Sequence, residues 1–192
     1  MSPPQLVIVG GPNGAGKTTF ALEYAAETNL DYLGADAIAD EMSPANSGSV
    51  QIAAARTFID RLKNALAQCQ PLVIESTLSG RILHRHIQSA RQNGYRVIVI
   101  FVFLATETGC LARIQERVAR GGHNVPEEDV RRRFPRTFRQ FWTDYRMLAD
   151  DWAIFSNGGE AFELVASGSG EETEVNDESL FEDFVKIVES AS

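Results

Sequence analysis

The sequence is poor in cysteine and histidine, with two of the first and three of the second in 192 residues. Cys69 and Cys110 lie far apart with no metal-ligand spacing, which excludes a disulfide scaffold and a structural zinc and leaves both as small core residues. Long apolar runs are also lacking. The longest, Val97 to Ala105, is half of what a membrane span requires, so no membrane association is expected. Between Met1 and Gln5 no basic residue precedes an apolar stretch, so neither a signal nor a transit peptide is legible and the expected location is cytoplasmic. There is no internal repeat. Hydrophobic residues at 44% and charged residues at 23% exclude disordered, collagen-like and coiled-coil chains. The length suits one compact domain over residues 1–192.

The net charge of -8 argues against general nucleic-acid binding, but the charges are unevenly spread. Nine of the eighteen basic residues fall between Arg113 and Arg146. From Asp150 onward twelve acids face the single base Lys186. The chain therefore carries a cationic segment followed by an acidic one, over about 167–192, and two plain solvated faces compete with any functional reading.

Strand-like and helix-like stretches alternate. Gln5 to Gly10, Pro71 to Glu75 and Tyr95 to Leu104 are apolar runs, the last without alternation, as in a strand buried on both faces of a parallel sheet. Helical patterns cover Lys17 to Thr28, Ser49 to Gln68, Ser79 to Asn93, Thr106 to Arg120 and Pro126 to Leu148. Strands separated by such helices build βαβ units around a parallel sheet, an α/β class. Ser43 to Ser49 and Gly121 to Pro126 are loop-like breaks, and Pro135 is expected to kink or split the last long helix. Asp151 to Ser156 and Phe162 to Ala166 read as a C-terminal strand pair, Ser167 to Asp177 as a mobile polar link, and Glu178 to Glu189 as a final helix.

Gly11-Pro12-Asn13-Gly14-Ala15-Gly16-Lys17-Thr18, followed by Thr19, matches G-x-x-x-x-G-K-[ST] directly after a strand and at the mouth of a helix, the context a phosphate-binding loop requires. Its glycines let successive N–H groups face phosphate oxygens, and the helix presents its positive end to the same anion. Lys17 is expected to reach the β and γ phosphates of ATP and the Thr18 hydroxyl to ligate magnesium. Glu75, at the carboxyl end of a strand, is the candidate to hold the magnesium-bound water. No N/T-K-x-D guanine signature occurs, which weakens a GTPase reading. Thr77 to Arg81 superficially matches the signature of transporter ATPases, yet the strand RVIVIFVFLA ends without the acidic pair such machines use.

Small-molecule kinases fit better, because in them an arginine-rich lid closes over the triphosphate. Arg113, Arg117 and Arg120 share a helical face, Gly121-Gly122 reads as a hinge, and Arg131, Arg132 and Arg133 follow; the lid spans about 113–133. Surface pairing with Glu116, Glu127, Glu128 and Asp129 is the competing account. Asp36, just past the short strand Tyr32-Leu33, is the candidate base for an attacking hydroxyl, against a simple helix-capping role. His84 and His86, two apart on a helix, cannot face one site, and His123 lies in the lid segment.

This set of motifs resembles the short, single-domain branch of the zeta toxin family of P-loop kinases. The resemblance rests on GPNGAGKTTF (Gly11 to Phe20), YLGADAIA (Tyr32 to Ala39), VIESTLSGR (Val73 to Arg81) and RIQERVARGGHNVPEEDVRRRF (Arg113 to Phe134), and covers roughly Gln5 to Gly159. It implies a P-loop NTPase three-layer sandwich, adenylate-kinase-like, and ATP-dependent phosphorylation of a small-molecule hydroxyl, in the toxins that of UDP-N-acetylglucosamine. By that likeness Asp36 is catalytic and Glu75 and Thr77 contact substrate. Arg81 belongs to the same stretch. Arg117, with Arg131 or Arg132, surrounds the transferred group, beside Arg113. A separate antitoxin partner is a further implication. The chain is too short for the larger substrate region of the long branch, which leaves the acceptor open. The competing function is a nucleotide-gated module that contacts RNA or a protein through 113–146, where Phe134, Phe138, Phe141, Trp142 and Tyr145 interleave with arginines.

Overall fold

A computed structural model describes residues 2–42 and 48–191. The break expected over 43–49 therefore lies, apart from Gly48 and Ser49, outside the described residues. Seven strands form one sheet: β1 (Gln5–Gly10), β2 (Asp31–Leu33), β3 (Leu72–Ser76), β4 (Arg96–Phe103), β5 (Asp151–Ser156), β6 (Glu163–Ser169) and β7 (Glu172–Val175), in the order β2-β3-β1-β4-β5-β6-β7. The first five in that order run parallel, and β6 and β7 close the edge antiparallel. The expected α/β three-layer class with a parallel centre and a C-terminal antiparallel pair is the class observed.

Alternation along the strands divides the core in two. Val7 and Val9 of β1 and Ile100 and Val102 of β4 face the layer of helix α1 (Lys17–Thr28), with Ala21 and Ala25. Leu6, Ile8, Phe101 and Phe103 face the opposite layer, built from α2 (Ala35–Met42), α3 (Gly48–Ala67), α4 (His84–Gln92), α5 (Glu107–Ala119), α6 (Glu127–Gln140) and α8 (Glu178–Ser190). A short helix, α7 (Arg146–Leu148), leads into β5. Both faces of β4 are thus covered, which is why its sequence shows no polar alternation. Among the described residues no helix is long and apolar enough to cross a membrane.

Cys69 is exposed rather than a core residue, and three further local expectations need correction. Pro135 neither splits nor ends its helix, because the bond it removes is the one to Arg131, an exposed residue on the wet side of α6, where the loss costs least. The irregularity comes later, as a π-turn over Phe141–Tyr145. Ser167 to Asp177 is no mobile link: it completes β6, turns at Gly170 (φ 55°) and forms β7. Its polar composition suits an edge strand, since every β7 residue is exposed. Third, α4 begins at His84 rather than near Ser79.

The acidic C-terminal segment carries apolar residues on its inner face. Phe184 of α8 is fully buried among Phe101, Phe103, Phe138, Phe141 and Trp142, with ring centroids 5.4 to 6.1 Å away. Phe134, Phe138, Phe141 and Tyr145 therefore belong to the core and offer no stacking platform for bases. Trp142 is half-covered and lies under the Arg146 guanidinium at 3.9 Å from its ring centre.

Candidate active site

The loop between β1 and α1 needs glycine for two separate reasons. Gly11, Gly14 and Gly16 have φ of 144°, 84° and 96°, a region costly for side-chain-bearing residues. They also have no room: a Cβ on Gly11 would sit 2.0 Å from the Val102 carbonyl oxygen, and one on Gly14 2.4 Å from that of Cys110. The resulting turn leads directly into α1, with Gly16 as its left-handed N-cap. Lys17 is only 9% exposed, and its Nζ donates to the Pro12 carbonyl at 2.9 Å. Burial lowers its pKa, while the Glu75 and Asp36 carboxylates oppose the shift.

Two cavities meet at that lysine. One, of about 490 Å³, is lined by Gly14, Gly16, Lys17, Thr18 and Thr19 on one side and by Arg113, Arg117 and Arg120 of α5 with Gly122 and Asn157 on the other. The Arg117 Nε is buried there without a hydrogen-bond partner. The other, of about 420 Å³, is lined by Asn13, Lys17, Asp36, Glu75, Thr77 and, from the lid side, His123, Asp129 and Arg133, over an apolar floor that includes Ala54 and Phe58 of α3. Asn13 Oδ1 and Glu75 Oε2 are buried in it without hydrogen-bond partners. The Tyr32 phenol faces Glu75 without completing a hydrogen bond of normal geometry. Burial, first, and that carboxylate, second, push its pKa far up. Among the described residues no three His, Cys, Asp or Glu side chains are grouped to hold a metal by themselves.

The AAA domain matches residues 6–139, about seven-tenths of the chain, from β1 to the end of α6. The chain belongs to the AAA domain family. An uncharacterized protein of Haemophilus influenzae is 32% identical over 124 residues, 65% of this chain and 88% of that one. Among solved structures, a candidate kinase of Chloroflexus aurantiacus is 25% identical over 63% of this chain and 70% of its own, with a TM-score of 0.55. The AvrRxo1-ORF1:-ORF2 complex with ATP superposes over 97% of this chain and 64% of that one (TM-score 0.71, 19% identity). The PezAT toxin-antitoxin system of Streptococcus pneumoniae does so over 100% and 86% (TM-score 0.65, 15% identity). These last two likenesses concern the fold, which is the P-loop, kinase-like form of the AAA domain.

Within this AAA domain the residues singled out by sequence sort into those at the cavities and those elsewhere. Asp36 lies in the first turn of α2, inside the helix rather than capping it, and lines the second cavity. Glu75 and Thr77 line it too, Thr77 sharing a hydrogen bond with Ser79 at 2.9 Å. Arg131 and Arg132 line neither. Arg131 is exposed and bonded to Glu107 and Glu127, both at 2.5 Å, and Arg132 is bonded to Asp129. The neighbour that reaches the cavity is Arg133, a quarter-turn away on α6. Arg81 is likewise outside, paired with Asp144 at 2.9 Å. Gly121-Gly122 is a helix stop, not a free hinge: the Gly122 N–H bonds the Arg117 carbonyl and the Gly121 N–H that of Val118, with Gly121 at φ 87°.

Asn157 is the residue sequence reasoning missed. Its Nδ2 donates to the Ala15 carbonyl at 2.8 Å, its own carbonyl accepts from Arg113 at 2.7 Å, and it lines the first cavity. It follows the carboxyl end of β5, the edge of the sheet where Glu75 also stands, and that position was the available signal. His123, which the sequence placed only in the lid, is within 3.3 Å of Asp40 on α2 and lines the second cavity.

Proposed function

We propose that the protein is an ATP- and magnesium-dependent kinase that transfers the γ-phosphoryl group to a hydroxyl of a small molecule. The observation that carries this reading is Lys17, which forms part of the wall of both cavities. A hydrolytic NTPase or motor needs no second pocket on the far side of that lysine, whereas a kinase needs an acceptor there. The loop from Gly11 to Thr19 with Arg113 and Arg117 holds the triphosphate, and Asn157 fixes the loop to Arg113. Thr18 and the orphaned oxygen of Glu75 would hold a magnesium ion, which keeps few protein ligands. Held there, the ion would supply neutralisation of phosphate charge.

Asp36 takes the proton of the acceptor hydroxyl as its oxygen bonds to Pγ; the bond from Pγ to the bridging oxygen breaks, and ADP leaves. Arg117 balances the charge that develops on the transferred group. Residues 1–192 work as one kinase domain, with 113–133 as lid and the acidic segment from 167 packed behind it. The zeta-toxin likeness carries a finer form, with a UDP-amino sugar as acceptor and a separate antitoxin as partner; the PezAT superposition supports that form through the fold. The kinase reading is tested by incubation with γ-labelled ATP and a panel of hydroxyl compounds. Label must move to an acceptor in the native protein and not in Lys17→Ala. Hydrolysis to free phosphate with no labelled acceptor refutes it.

A further inference from the structure

Consecutive residues of the lid segment face different cavities. Gly122 lines the first, beside Arg113, Arg117 and Arg120, and His123 lines the second, with Asp36, Glu75 and Thr77. The pair is tied to α5 at a fixed point. The Gly122 N–H donates to the Arg117 carbonyl at 2.9 Å, and Gly122 packs so closely on that side chain that a Cβ there would lie 2.6 Å from Arg117 Cγ. Residues 117–123 thus form one short bonded unit, with a guanidinium in one cavity and an imidazole in the other.

Each end of that unit carries a buried nitrogen with no hydrogen-bond partner among the described residues, Arg117 Nε and His123 Nε2. Asp40 Oδ1 stands 3.3 Å from His123 Nε2, near enough for charge attraction but without the geometry of a hydrogen bond. The Asp40 side chain is 63% exposed and open to water, whereas that of His123 is 16% exposed and its Nε2 is sealed. A carboxylate can only accept, so it favours the tautomer with the proton on Nε2, and this nitrogen is a donor. The other polar lid residues of the second cavity have partners: Asp129 is bonded to both Arg132 and Arg133, and Asn124 is exposed to solvent. A sealed donor destabilises the protein until a ligand oxygen meets it. The position of His123, across the lid from Asp36 and Thr77, places that oxygen on the acceptor.

We infer that His123 binds the acceptor and positions Arg117: its Nε2–H donates to an acceptor oxygen, and the Gly122–Arg117 bond carries that contact to the guanidinium on the nucleotide side. This rests on the kinase reading. Acceptor and nucleotide then strengthen each other's binding by the same factor. For the test, label from γ-labelled ATP is followed into UDP-N-acetylglucosamine, N-acetylglucosamine, uridine and gluconate. Whichever compound the native protein labels is used for kinetics and calorimetry on His123→Ala, His123→Gln and Asp40→Ala. His123→Ala is expected to raise the acceptor KM about 10-fold and to lower kcat, the loss of one hydrogen bond to a buried group. Affinity for a non-hydrolysable ATP analogue alone should stay native, while the tightening of that analogue by the acceptor disappears. His123→Gln keeps an N–H donor and should return the KM to within about 3-fold of native, and Asp40→Ala should keep native kinetics. An unmoved acceptor KM, equal losses of ATP and acceptor affinity, or an Asp40→Ala variant that reproduces the His123→Ala defect overturns the inference and leaves His123 the task of holding the lid on α2. With no compound labelled by the native protein the kinase reading fails and this inference falls with it, whereas labelling with an unmoved KM refutes this inference alone.

Discussion

Alanine at each of two adjacent glycines should fail in different ways. At Gly121 the backbone is left-handed (φ 87°) and a Cβ would meet nothing within 4 Å, so Gly121→Ala pays only conformational strain. That strain is about 1 kcal/mol, or roughly 2–4 °C in melting temperature for a chain of this size. At Gly122 the backbone is ordinary, but a Cβ would lie 2.6 Å from Arg117 Cγ, 3.1 Å from its carbonyl oxygen and 3.3 Å from its Cδ. Carbon contacts settle at about 3.5–4.0 Å, so Cγ must recede by roughly 1 Å and the guanidinium beyond it by more. A displacement of about that size at a catalytic group costs on the order of 10²-fold in rate. Gly122→Ala should therefore lower kcat by about 10- to 100-fold, much more than it weakens ATP binding, while Gly121→Ala lowers the melting temperature and spares kcat. Steady-state kinetics and calorimetric melting on both variants decide the matter. A Gly122→Ala enzyme with unchanged kcat, or two variants with equal kinetic losses, would refute the claim that Gly122 exists to make room for Arg117.

Other outcomes follow from the same geometry. Asp36→Asn should leave ATP binding nearly intact while the transfer rate falls about 10²- to 10⁴-fold, checked by nucleotide titration beside rapid-quench kinetics. Asn157→Ala removes one hydrogen bond from the phosphate loop, about 0.5–1.5 kcal/mol, and should weaken ATP binding by roughly 3- to 10-fold in fluorescence titrations. Burial pushes the Cys110 thiol up from 9.0 to about 12. Its folded pKa then exceeds its unfolded one, so above pH 9 the unfolded state binds fewer protons and stability falls as pH rises towards 12. Urea melts between pH 8 and 11 should show this decline, less steep in Cys110→Ala. Phe184→Ala should cost about 3–5 kcal/mol in the same assay, because the ring fills the space between α6, the π-turn and β4.

Local chemistry made much of the fold legible. The β1 and α1 boundaries follow from an apolar run, three glycines and a lysine, all within fourteen residues of chain, and the unbroken apolar character of β4 reports burial on both faces. What escaped depended on distant contacts. The helix α4 starts late because the preceding loop is held elsewhere: Tyr145 donates to the Gly80 carbonyl at 2.5 Å and Asp144 binds Arg81. Leu78 in that loop takes a left-handed conformation (φ 52°) with its side chain against Gly10, which no local pattern announces. Three consecutive arginines sweep most of the way around a helix, so sequence could not say that Arg133, and neither Arg131 nor Arg132, turns towards the cavity. The polar run from 167 was illegible as strand because neither face of β7 is buried.

The aromatic cluster sets an order on how this chain becomes a folded molecule. Phe101, Phe103 and Phe138 lie within the segment shared with the family, but Phe141 and Phe184, which complete their packing, lie beyond it. During synthesis the phosphate-binding layer emerges first, and α1 can settle on its own face of the sheet early. The patch of the opposite face under α8 stays incompletely covered until Phe184 is available, because that ring packs on Phe101 and Phe103 of β4. Delay between translation of β4 and of α8 is thus the window in which a nascent chain of this protein is most exposed to aggregation or capture by a chaperone.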